Sequence, residues 1–144
     1  MHIPDGFLDT KTIVATTTLS AVGFSIALRN LKNRIIPRQV PMMGLAAAFV
    51  FVAQMLNFPI IGGTSGHLIG SVLIAVLLGP GAAVIVITLV LLVQCFFFAD
   101  GGLLALGANV FNMAIVGSLF GYSIYRTIYK FSPTEKGKYL AIGF

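Results

Sequence analysis

The chain has 144 residues, 58% of them hydrophobic and 9% charged, against roughly 25% charged in an ordinary soluble domain. A soluble fold this short hides only part of its apolar surface, so the composition excludes a water-soluble globule and makes lipid the solvent for most of the chain. The net charge of +5 does not indicate nucleic acid as a partner, because eight of the nine basic residues form two clusters between apolar runs, Arg29, Lys32, Arg34, Arg38 and Arg126, Lys130, Lys136, Lys138, where cytoplasmic loops carry Lys and Arg.

The predicted fold is all-α: one domain, 1–144, forming a polytopic transmembrane helical bundle. Residues 1–10 form a polar amino-terminal segment without the basic start of a signal peptide. A first span is predicted over 12–28 and is ended by a basic, proline-containing loop. A second covers 41–56, with Pro41 suited to a helix's first turn. The stretch 57–66, Asn-Phe-Pro-Ile-Ile-Gly-Gly-Thr-Ser-Gly, is too rich in turn residues for a helix. Two further spans, 67–79 and 81–99, hinge at Gly79-Pro80-Gly81. The run from His67 to Leu78 measures about 18 Å at helical rise, short of a hydrocarbon core about 30 Å thick. The glycine loop before it is therefore expected to sink into protein, where irregular backbone is tolerated. Asp100-Gly101-Gly102 closes this hairpin, a fifth span covers 103–125, and residues 139–144 read as the start of a sixth. The single Cys95 leaves no disulfide framework.

With both basic clusters cytoplasmic, the amino terminus, the 57–66 loop and the 100–102 turn all face outside. Asp5, Asp9 and Asp100, three of the four acids, gather on that side. The asymmetry suits a cation-collecting face, and equally suits ordinary topology.

Only two histidines occur, His2 and His67. The Met1 amine and the His2 backbone nitrogen close a five-membered chelate ring on a metal, and that nitrogen with His2 Nδ1 closes a six-membered one. A second imidazole, His67, completes a square of four nitrogens, the tetragonal geometry of Ni(II) or Cu(II). Displacing an amide proton needs a strongly polarising ion, which disfavours the hard cations Mg²⁺ and Ca²⁺. The bland alternatives are a solvated second residue and a loop histidine bonded to backbone. Gln94, Asn109 and Asn112 are polar residues in apolar runs, costly unless they face protein or water, and Asn109 and Asn112, three apart, are expected on one helical face. They read either as outer partners that orient the metal ligands or as hydrogen-bonding glue between helices. Asp100 either neutralises an incoming dication or ends a helix, and Ser65 with Thr64 holds loop backbone. Small residues four apart, Gly23/Ala27, Gly66/Gly70 and Gly117/Gly121, permit close helix approach, within the bundle or to a partner.

Three separated stretches resemble one family: Met-His-Ile-Pro-Asp-Gly-Phe-Leu at 1–8, Gly-Thr-Ser-Gly-His-Leu-Ile-Gly at 63–70, and the run from Gln94 to Met113. They are similar to the CbiM/NikM family, the substrate-binding M components of cobalt and nickel energy-coupling-factor transporters. The resemblance implies a multi-pass protein of the prokaryotic cell (inner) membrane, amino terminus outside, with Ni²⁺ or Co²⁺ as transported substrate. The metal is then held by Met1, His2 and His67. Implied partners are a transmembrane coupling subunit and two ATPase subunits, with a small accessory membrane subunit as a further one. The chain has no phosphate-loop motif, so it is read as a transport subunit and not an enzyme, unable to energise transport alone. The competing readings are a small structural or assembly membrane protein and a self-sufficient divalent-cation carrier.

Overall fold

The computed structural model describes residues 2–33, 36–61 and 64–131, without the side chains of residues 60, 64 and 65. The expected sixth-span start at 139–144 falls outside the described residues. The order of elements is α1 (Thr10–Lys32), α2 (Gln39–Met55), β1 (Phe58–Ile60), β2 (Thr64–Gly66), α3 (Ser71–Leu78), α4 (Pro80–Phe98), α5 (Leu106–Asn109), a π-helical segment (Val110–Val116) and α6 (Gly117–Phe131). The architecture is thus mostly helical, with one small two-stranded ribbon.

Local chemistry accounts for these boundaries. Asp9 caps α1, its carboxylate accepting from the Lys11 amide at 3.2 Å and from the Thr12 hydroxyl. Arg29 and Lys32 lie in the last turn of α1, where cations favour the negative end of the helix dipole. The helix therefore runs four residues past the predicted span of 12–28. Pro80 opens α4 from Gly79, since proline's missing donor costs nothing at a first turn.

α4 is the hub, packed against α1, α2, α3, the π-helical segment and α6. It is buried continuously from Ala82 to Thr88, and Ile74, Val50, Val110, Met113 and Ala114 close the core around it. Gly23 lies against Ile115, Gly117 against Ser71 and Gly121 against Val72, so the small residues on α1 and α6 serve packing inside this bundle. The outer surface is the reverse of a soluble protein's: Val14, Val22, Ile26, Leu45 and Phe97 are all more than half exposed. α1 and α4 are each long and apolar enough to cross a membrane, and α2 is a shorter apolar helix. Apolar exposure on this scale marks a membrane protein.

The 57–66 stretch departs from the expected irregular loop. It pairs as an antiparallel ribbon, Phe58 opposite Gly66, Pro59 opposite Ser65 and Ile60 opposite Thr64, with Ile61 fully exposed near its tip. Pairing satisfies the backbone groups that face the partner strand, and both strands keep an unpaired outer edge. Only the tail that follows, His67 to Gly70, turns down onto α2.

Candidate metal centre

The amino-terminal segment is held against residues 102–109 by one backbone hydrogen bond, by the Asn109 amide and by the Asp5 carboxylate. Asn109, 4% exposed, accepts from the Ile3 amide through Oδ1 at 2.8 Å and donates from Nδ2 to the Ile3 carbonyl at 3.1 Å. The Gly102 amide donates to the same carbonyl at 2.9 Å. Asp5 accepts three amides in succession: Leu103 at 3.0 Å on Oδ2, then Leu104 at 2.8 Å and Ala105 at 3.2 Å on Oδ1. These belong to the turn that opens α5, whose first amides lack partners within the helix. A negative charge there also suits the positive end of the helix.

Close approach depends on two glycines. A Cβ on Gly101, whose φ is +98°, would come 2.8 Å from the His2 Cβ, and one on Gly102 would collide with the Asp5 amide and carboxylate. Gly102 itself is buried. Segment 2–5 therefore lies directly on residues 101–105, with nothing between them.

This docking buries the His2 side chain, only 1% exposed, with Nδ1 2.9 Å from Asp100 Oδ1. The approach is short but does not meet hydrogen-bond geometry, and both ring nitrogens are buried without a hydrogen-bond partner among the described residues. Burial pushes the His2 pKa below its usual value, with Asp100 pulling the other way. The ring is thus held neutral, its lone pair available. His67 arrives from the opposite side, half-buried on the tail of the ribbon. Its Nδ1 lies 3.0 Å from the Leu68 carbonyl. A carbonyl only accepts, so Nδ1 carries the proton and Nε2 is left as the bare nitrogen.

The two rings stand 5.5 Å apart between centres, tilted by 37°. At that spacing one small cation, with metal–nitrogen bonds of about 2 Å, reaches a nitrogen of each. Among the described residues no three His, Cys, Asp or Glu side chains gather as a metal-binding cluster. Side chains alone thus supply two imidazoles with Asp100 beside one of them.

The remaining expected residues are distributed unevenly. Met1 falls outside the described residues, and so does the side chain of Ser65. Gln94 is wholly buried with neither amide atom paired among the described residues, and its backbone carbonyl accepts from the Asp100 amide at 3.1 Å. Asn112 is exposed and does not share the face of Asn109, because the π-helical segment that begins at Val110 turns more widely than the α-helical spacing assumes. Asp5, expected only as one of three acids on the outer face, instead clamps the backbone at 103–105. The only available signal was an acid in the terminal Asp5-Gly6 pair with no positive partner nearby in sequence.

Comparison with known proteins follows this geometry. The chain is 44% identical over 125 residues to the fused nickel transport protein NikMN of Rhodobacter capsulatus, covering 87% of this chain and 36% of that protein. It is 39% identical over 132 residues to the cobalt transport protein CbiM of Thermosipho melanesiensis, covering 90% of this chain and 56% of the relative. The chain spans about half the length of the curated relatives it matches. A solved structure described as a truncated transition metal transporter superposes with a TM-score of 0.87 at 39% identity, over 99% of this chain and 69% of that one. The family model described as the cobalt uptake substrate-specific transmembrane region matches residues 2–144. The chain therefore belongs to the CbiM family.

Proposed function

We propose that this chain is the substrate-binding membrane subunit of an energy-coupling-factor transporter, capturing Ni²⁺ or Co²⁺ at a centre built from Met1, His2 and His67. The observation that carries the reading is the pair of facing imidazoles. One is buried with unpaired nitrogens, and the other is tautomerically fixed with Nε2 bare. Because side chains give only two nitrogens, the terminal amine and the His2 backbone nitrogen complete the set. A five- and a six-membered chelate ring then fix three donors in one plane, and His67 Nε2 takes the fourth corner. Asp100 stands at the chelating Nδ1, so an arriving dication meets carboxylate and imidazole together, and the carboxylate yields as Nδ1 binds. Asn109 and Asp5 hold the segment that carries the donors. Gln94 supports the Asp100 turn through its backbone.

In this reading the apolar helices form five spans, with the amino terminus, the ribbon and the Asp100 turn on the outside of a prokaryotic cell membrane. Captured metal is released inward by a transmembrane coupling subunit and two ATPase subunits. The names of the similar proteins, a nickel and a cobalt transport protein, support this choice of substrate. The test is a titration of the purified chain with Ni²⁺, Co²⁺, Cu²⁺ and Zn²⁺, alongside a topology reporter placed at 30–37 or at 100–102. The reading expects tight one-to-one nickel or cobalt binding and an external 100–102 reporter. Absence of binding in folded protein favours a structural role, and metal uptake by vesicles lacking any ATPase favours a self-sufficient carrier.

A further inference from the structure

We infer that Gln54 is a positioning residue for the His67 donor, a role that rests on the metal-centre reading above and extends it to α2. Gln54 is the second-last residue of α2 and is fully buried. Its Nε2 donates to the Ile69 carbonyl at 2.7 Å, and since a carbonyl only accepts, the amide's orientation is fixed by its partner. One turn earlier on the same face lies Val50, also fully buried. Val50 packs so closely on Gly70 that a Cβ there would come 2.6 Å from its Cγ2, and Gly70 has a φ of +78°. The tail His67–Gly70 is thus clamped to α2 at two consecutive residues. The nearer clamp is a hydrogen bond two residues from His67.

The other end of the same amide gives the reason to look beyond packing. Gln54 Oε1 is buried with no hydrogen-bond partner among the described residues, and an unpaired buried acceptor carries a desolvation cost. Met or Leu would fill similar volume without that cost. What neither supplies is a donor for Ile69. With the Ile69 carbonyl held, the Leu68–Ile69 backbone is fixed, and the Leu68 carbonyl in turn orients the His67 ring. The chain of support runs from α2 through two carbonyls to Nε2. Outer partners of this kind typically change metal affinity about 10–100-fold.

The test is a double-mutant cycle on the full 144-residue chain in detergent. Nickel alone is the probe, and both affinity and the ligand-field absorption of bound nickel are read in the unaltered chain, Gln54→Met, His67→Ala and the double variant. The expected result is about tenfold weaker binding in Gln54→Met, with absorption shifted toward that of His67→Ala. The double variant should bind no more weakly than His67→Ala alone, because nothing then remains to be positioned. Unchanged binding and absorption in folded Gln54→Met, or fully additive losses, overturn the inference. Gln54→Glu supplies the conservative counterpart and carries the test if Gln54→Met does not fold. Burial favours its protonated carboxyl, which keeps one donor, so its affinity and absorption should stay near those of the unaltered chain. A folded Gln54→Glu with the absorption of His67→Ala overturns the inference as well. The two levels separate cleanly: a His67→Ala chain that binds nickel normally sinks the metal centre itself, whereas loss in His67→Ala without loss in Gln54→Met sinks only the role of Gln54.

Discussion

Asn109 grips Ile3 at both ends of its backbone, accepting from the amide at 2.8 Å and donating to the carbonyl at 3.1 Å across 106 positions of sequence. A side-chain amide used this way imitates a neighbouring strand, and it fixes the residue that follows His2. Each such bond contributes about 1 kcal/mol net, so Asn109→Ala should weaken docking of segment 2–5 by about 2 kcal/mol, a factor of roughly 30. Hydrogen exchange is the direct measure. The amides of Ile3 and Gly102, which donate across this junction, should lose protection while α4 keeps its own, and nickel affinity should fall in step. Unchanged exchange would show that Asp5 and the glycines hold the segment without help.

Gly102 tests how closely the segment must approach. In Gly102→Ala the new methyl meets the Asp5 amide and carboxylate, and the backbone amide cannot move aside. Gly44 lies within α2 with nothing inside 4 Å of its would-be Cβ. Gly44→Ala should therefore be neutral or stabilising by up to about 1 kcal/mol. Gly102→Ala should abolish tight nickel binding in a chain that still inserts and purifies as a single species. Equal affinities in the two variants would mean that docking on 101–105 is not required for the site.

The amino terminus offers the sharpest chemical control. An uncleaved amino-terminal tag or acetylation turns the Met1 amine into an amide and removes one donor. His2→Ala keeps the amine but loses the six-membered ring. All three should abolish tight binding, whereas a carboxyl-terminal tag should leave it intact. Full nickel or cobalt affinity in a chain with a blocked terminus would remove the terminal chelate from the proposal.

Acidity should loosen the segment in a predictable direction. Burial lowers the His2 pKa from its usual 6.5, and Asp100 partly offsets this. Between 6.5 and the lower docked value, the undocked segment holds more protons. Docking therefore strengthens as pH rises through that window and is lost as pH falls through it. Protection factors at residues 3 and 102 should decline from about pH 7.5 to about pH 5, and metal affinity with them, since protons compete for the same nitrogen. Asp100→Asn removes the group that supports an imidazolium, which widens the gap and deepens the loss at low pH. Better protection in acid for Asp100→Asn would reverse the assigned role of that carboxylate.

Much of this is legible in the residues alone, because lipid imposes a long, unbroken apolar run that no soluble element needs. The helical character of α1, α2 and α4 follows from such runs. His2 and His67 draw attention as the only histidines, and the structure sets their rings side by side. The ribbon at 58–66 is not legible, since three-residue strands containing Pro59 and Gly66 carry no alternating pattern. Nor is the π-helical segment, which differs from α-helix by hydrogen-bond register and not by composition, and Asn112 therefore leaves the face expected from α-helical spacing. Asp5 and Gln54 act on backbone groups far away in sequence, and a backbone amide or carbonyl has no letter in the sequence to mark it.

The pairing of residues 2–5 with 102–109 also sets an order in time. Residues 2–5 are made about a hundred residues before their partners, so they have nothing to dock on until those residues have been added. At about 5–20 residues per second, they wait on the order of 5–20 s during synthesis. Throughout that interval His2 lacks the contacts with Asp100 and Gly101 that bury it in the docked segment. Enzymes that acetylate or trim termini therefore meet their opportunity before the bundle closes, and the finished protein, with His2 buried against Gly101, no longer offers it.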